Sequence, residues 1–125
     1  MRRAQLIGLA VSLLLTVLAC GARQNINRAS GIRPGMSPED VTRVMGADPV
    51  RSEFSDGILE WHYCRTGFGE VDQFVAFFFV NDSVIESRNY SVTLRDTGGA
   101  IGSCVNFIKM GTYEEPDRVT EIRVR

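Results

Sequence analysis

The sequence predicts an α+β domain, a two-layer sandwich in which a short N-terminal helix, or helices, packs on a three- to four-stranded antiparallel sheet. Three stretches carry this expectation. Residues 37–46 hold start and stop signals for a helix of about two turns, too short to persist alone, so it implies a sheet to lie on. Residues 58–64 alternate, with Leu59, Trp61 and Tyr63 on one parity and Glu60 and His62 on the other, as in a half-buried strand. Residues 73–80 are apolar on both parities, the pattern of a central strand covered on each side.

In chain order, the first element is not part of that domain. Met1-Arg2-Arg3 is a short basic start, and residues 4–19 form an apolar run interrupted only by Gln5, Ser12 and Thr16. This is the pattern of an export signal, short for a membrane-spanning helix and followed at once by polar residues. The run ends Val17-Leu18-Ala19-Cys20. That ending resembles the lipobox of bacterial lipoproteins, whose Cys becomes the acylated first residue of the mature chain. The resemblance implies a signal peptide over 1–19, with Cys20 carrying lipid, palmitate among the acyl groups. Several acyl chains, at about 0.8 kcal/mol per buried methylene, make such attachment lasting. Gly21 follows where Asp would favour retention in the inner membrane, so the outer membrane, periplasmic side, is the expected address. Residues 20–31, rich in Asn, Arg, Ser and Gly, read as a lipidated tether with a turn of helix near 25–30.

The domain is expected over 32–125. Ser37 is a good N-cap, Pro38 suits the first helical position, and Asp40 stands where a capping-box acid would. Met36 and Val41 are placed to form a hydrophobic staple, and Val41, Val44 and Met45 make one apolar stripe. Gly46 can adopt the left-handed conformation that ends the helix, and Asp48-Pro49 stops its continuation. A strand over 50–54 and a turn at Ser55-Asp56-Gly57 lead into the alternating strand, where Trp61 is expected at the centre of the core. The loop after Arg65 carries Phe68 between two glycines. Phe68 is a candidate partner contact, the alternative being that it folds back on the sheet. Asn81-Asp82-Ser83 turns the chain into a long strand whose apolar parity changes between Ile85 and Tyr90, Val92 and Leu94. A bulge near Arg88-Asn89 is expected to absorb that change.

Residues 97–102 read as a plain glycine-rich loop, lacking the Lys-Ser/Thr pair of a phosphate cradle. Residues 103–110 are expected as a short helix that carries Cys104, turns Val105, Phe107 and Ile108 to the sheet, and covers its second face. Residues 119–124 read as an edge strand or tail. With Cys20 used for lipid, Cys64 and Cys104 remain, an even number in an oxidising compartment, and are expected to form a disulfide. Closing a loop of about 40 residues, that bond would contribute ~4 kcal/mol.

Catalysis is not expected. His62 shares a strand face with Cys64 without being aimed at it, and no third group orients a thiol–imidazole pair. One histidine and two cysteines forty residues apart lack zinc-type spacing, so no metal or cofactor is anticipated. The net charge of −1 becomes −3 without Arg2 and Arg3, and no basic block suggests nucleic acid.

In order along the chain, Gly35-Met36-Ser37, Val41, Gly46, Pro49, Trp61 and Tyr63 together resemble the SmpA/OmlA (BamE-like) outer-membrane lipoprotein family over residues 26–94. That resemblance implies helices packed on an antiparallel sheet and a scaffolding role in outer-membrane protein assembly or envelope integrity, with a protein partner and no enzymatic activity. Here Gly46-Ala47-Asp48-Pro49 is one residue longer than the family's usual spacing. From about residue 95 the chain runs on beyond the matching part, an extension expected to be disulfide-linked through Cys64 and Cys104. The alternative reading is a periplasmic inhibitor or binding module of similar shape.

Overall fold

A computed structural model describes residues 24–67, 71–111 and 113–114; the expected export segment, Cys20, Phe68 and the stretch 119–124 lie outside them. The described residues form an α+β unit around a four-stranded antiparallel sheet in the sequential order β1-β2-β3-β4. Its strands are β1 (Arg51–Ser55), β2 (Ile58–Arg65), β3 (Val71–Val80) and β4 (Ser83–Thr93). A 3₁₀ turn (Ile26–Gly31) and helix α1 (Pro38–Met45) precede the sheet, and a second 3₁₀ turn (Cys104–Phe107) follows it.

Helix α1 is defined at both ends by the residues that predict it. The Ser37 side chain accepts from the Asp40 N–H and the Asp40 carboxylate accepts from the Ser37 N–H, each at 3.1 Å, closing a capping box. At the other end Gly46 has φ 72°, a left-handed conformation that costs a Cβ-bearing residue ~1–2 kcal/mol. Val41 and Met45 are buried, in one cluster with Tyr63, Val75, Phe77, Phe79 and Val84, and Met36 packs at its margin as the staple requires.

The two hairpin turns follow their sequence chemistry: Asp56 and Gly57, then Asn81 and Asp82, all take positive φ, as two-residue turns matching strand twist demand. In β3, residues 74–79 are all buried, and alternate side chains serve different clusters. Val75, Phe77 and Phe79 meet α1, whereas Phe74, Ala76 and Phe78 meet Tyr90, Val92, Cys104, Phe107 and Ile108. The doubly apolar strand is thus central and covered on both sides.

Four expectations are corrected. Trp61 is half-buried at the margin of the α1-side cluster, with its ring edge-on to Phe79 at 5.0 Å. The fully buried Tyr63 and Phe77 occupy the centre, because the Tyr63 hydroxyl donates to Ala47 O at 2.9 Å and so draws the end of α1 over that part of β2. The β4 irregularity falls at Ile85, since Phe78 pairs with Glu86 and Phe79 with Val84, leaving Ile85 as the extra residue. Val84 then faces α1 while Ile85 joins the opposite cluster, which is the phase change the parity required. Residues 103–110 form only the 3₁₀ turn Cys104–Phe107, and Val105 is exposed, because a three-residue period puts Cys104 and Phe107 on the sheet side.

Within the span read as a tether, Ile26 and Ala29 pack against the α1-side cluster, and Gln24 is already held by hydrogen bonds.

Candidate interaction surfaces and a buried polar cluster

Cys64 and Cys104 are bonded, with S–S 2.02 Å and Cα–Cα 6.1 Å, and both are fully buried. The bond fastens the segment after residue 103 to β2, and a hydrogen bond from Cys104 N to Thr66 Oγ1 at 3.0 Å supports it. Both sulfurs are thus taken up in the bond and neither is a free thiol.

His62 is instead the hub of a polar cluster beneath that segment. Its face of β2 is opposite Trp61's, and its side chain is wholly buried. Nδ1 lies 2.9 Å from the Tyr90 hydroxyl and Nε2 lies 2.6 Å from Glu60 Oε1. Tyr90 Oη also accepts from Lys109 N at 3.2 Å. Tyr113 O–H donates to the same Glu60 oxygen at 2.6 Å, and Lys109 Nζ lies 3.3 Å from it and 2.7 Å from Glu53 Oε2.

Burial by itself would raise the Glu60 carboxyl, but the His62 and Tyr113 hydrogen bonds and the charges of His62 and Lys109 outweigh it and hold Glu60 down to about 2. Glu53 is lowered chiefly by its hydrogen bond from Lys109. Burial pushes Tyr90 up to about 12. For Lys109 the partial burial acts downward, yet Glu53 and Glu60 together raise it. These contacts join Glu53, Glu60, His62, Tyr90, Lys109 and Tyr113 into one ion-pair and hydrogen-bond clamp. Sequence reasoning located His62 on the correct strand face but missed the cluster, because Tyr90, Lys109 and Tyr113 come from 19 to 56 residues away from their partners.

Exposed apolar side chains are found at the margins. Phe54 on the edge strand β1 is 74% exposed. It pairs with Leu59, and the same register sets Ser52 against Trp61, so Phe54, Leu59 and Trp61 make an apolar strip beside α1. At the other edge, Val84 N donates to Met36 O and Gly35 N donates to Val84 O, both at 2.8 Å, tying the loop before α1 to the start of β4. Farther along β4, an open groove of about 770 Å³ separates Ile26, Ala29 and Ile32 from Val75, Asn89 and Ser91. Cys20 and Phe68, the expected lipidation and contact residues, lie outside the described residues. Among those described, no three His, Cys, Asp or Glu side chains are grouped to hold a metal ion, and no helix is long and apolar enough to cross a membrane.

The chain matches no protein-family model, and no curated protein matches it.

Proposed function

We propose that this chain is an outer-membrane lipoprotein, held at the periplasmic face through acylated Cys20, that works as a non-catalytic interaction module in outer-membrane protein assembly or envelope integrity. On this reading it is a SmpA/OmlA-like domain, a helix-on-sheet sandwich whose residues from about 95 onward are an added, disulfide-linked cover. The observation that carries the reading is the exposed Phe54 strip, on a chain whose sequence opens with an export signal and a lipobox-like ending. With β3 buried on both sides, the sheet faces are occupied by the protein's own segments, which leaves edges and loops for a partner. The bonding of both remaining cysteines supports a role without thiol chemistry.

The test is site-specific photocrosslinking in intact cells from position 54. The expected products are outer-membrane assembly proteins, and their recovery should fall when Phe54 is replaced by Ser in a chain crosslinked from the neighbouring position 52. A Cys20→Ala chain that stays soluble in the periplasm and retains full activity would overturn the membrane-localised reading in favour of a soluble binding module, for which the groove beside β4 is the natural site.

A further inference from the structure

We propose that one end of the sheet, bearing Ile101, is a membrane-contacting surface that sits on the lipid headgroups; this deepens the reading above and rests on the acylation of Cys20. The argument begins with Gln24, which is fixed to the domain from two directions. Its Oε1 accepts from Cys64 N at 3.0 Å, and its Nε2 donates to Asp48 O at 2.8 Å. Cys64 is the penultimate residue of β2, and Asp48 shortly precedes β1, so Gln24 marks one end of the sheet. The antiparallel register sets Val71 against Thr93 at that same end, and the loop over 94–103 leaves from there. The two hairpin turns lie at the opposite end.

Gln24 lies only four positions after Cys20, a contour of at most ~14 Å at about 3.5 Å per residue. That leash is about as long as four strands are wide at ~4.8 Å spacing, whereas β3 alone is roughly 33 Å long. The tethered end is therefore held near the bilayer, and the hairpin end cannot be brought to it without laying the whole domain flat.

The chemistry of the near end fits the same surface. Ile101 is 83% exposed and Val71 42%, and a cleft of about 220 Å³ behind them continues the apolar character to Leu94 and Phe107. Two of the local acids are turned back on the chain: Asp72 Oδ1 accepts from Gly67 N at 2.8 Å, and Asp96 Oδ2 accepts from Thr93 N at 2.8 Å and from Thr93 Oγ1 at 2.9 Å. Arg65 and Arg95 are exposed, while Asp48 is exposed beside the tether. An apolar projection flanked by arginines is suited to the headgroup layer, where cations are drawn to anionic lipid and apolar groups bury by ~5–10 Å.

The experiment uses the full-length lipoprotein isolated from membranes, with mass spectrometry reporting the acyl groups on Cys20. In the variants Ile101→Cys and Ser55→Cys the introduced thiol is labelled with an environment-sensitive dye, the native pair being bonded. Each is reconstituted in phosphatidylcholine vesicles containing phosphatidylserine and spin-labelled lipid. Ser55 is exposed on β1 at the far end. The expected result is blue-shifted emission from position 101, quenched by about half, as a probe at the headgroup boundary would be, and unshifted, unquenched emission from position 55. Acylated chains in which position 101 is unquenched, or in which both positions are quenched alike, overturn the orientation while leaving the anchoring intact. An unmodified Cys20 removes the anchoring and this orientation with it.

Discussion

The two faces of the sheet are covered by opposite means. On one, α1 lies on Tyr63, Val75 and Phe77, and everything that shapes the helix is local: cap, stripe and stop fall within residues 36–46. On the other, the segment after residue 103 has one 3₁₀ turn and little regular structure, and it is held by long-range bonds, a disulfide at one end and the Glu60–His62–Tyr90–Lys109–Tyr113 clamp at the other. A cover that forms its own secondary structure needs only an apolar surface to rest on. A cover that does not must be fastened.

The largest effect should come from unfastening it. Replacing both Cys64 and Cys104 by Ser is expected to cost ~4 kcal/mol, on the order of 20 °C in Tm, by restoring the entropy of a 40-residue loop to the unfolded chain. Amide exchange should rise first at Phe107 and Ile108, while α1 keeps its protection. Simultaneous loss of protection on both faces would show that the two covers are one cooperative unit.

Removing a contact from the helix side comes next. Met45→Ala deletes a nearly buried side chain from the α1 cluster and is expected to cost ~3 kcal/mol through lost transfer energy and the cavity left behind. The measurement is denaturant unfolding, with an unchanged m-value expected.

The comparison also explains which parts of the molecule could be foreseen. α1, both hairpin turns and the central place of β3 were legible because each rests on residues close together in sequence: Ser37 with Asp40, Asp56 with Gly57, the unbroken run from 74 to 79. The cysteine pair was legible by counting. Trp61 was misplaced because alternation tells which side of a strand a residue takes, not where along the strand the helix comes to rest. The bulge was foreseen from parity, but parity allows it anywhere between Ile85 and Tyr90, and the pairing of Phe79 with Val84 decides it. The polar clamp was invisible since its donors and acceptors meet only after β2, β4 and the last segment have assembled.

That clamp predicts an acid limb. Glu60 is held down to about 2 in the folded protein, against an ordinary 4.5, and Glu53 is lowered as well. A carboxyl depressed by folding stabilises the native state above its unfolded value, and this stabilisation is lost as pH falls from about 4.5 towards about 2. The denaturation midpoint should therefore drop across that window. Glu60→Gln keeps an acceptor for His62 and Tyr113 but loses the ion pair with Lys109, so it should cost ~1–2 kcal/mol at neutral pH and flatten the acid limb. An equally steep limb in the variant would assign it to other carboxylates.

The smallest effect is the most local. Ser37→Ala removes the acceptor for Asp40 N but leaves the Asp40 carboxylate on the residue 37 N–H, half of the capping box. The expected loss is ~1 kcal/mol, seen as a lower denaturation midpoint with the disulfide intact. The helix face should feel this change alone: the reactivity of the Cys64–Cys104 bond towards a mild reductant should stay at its original rate. Faster reduction in Ser37→Ala would mean that α1 and the fastened segment communicate through β3, whose residues 74–79 touch both, and the sheet would then be a coupling element between its two covers rather than a partition.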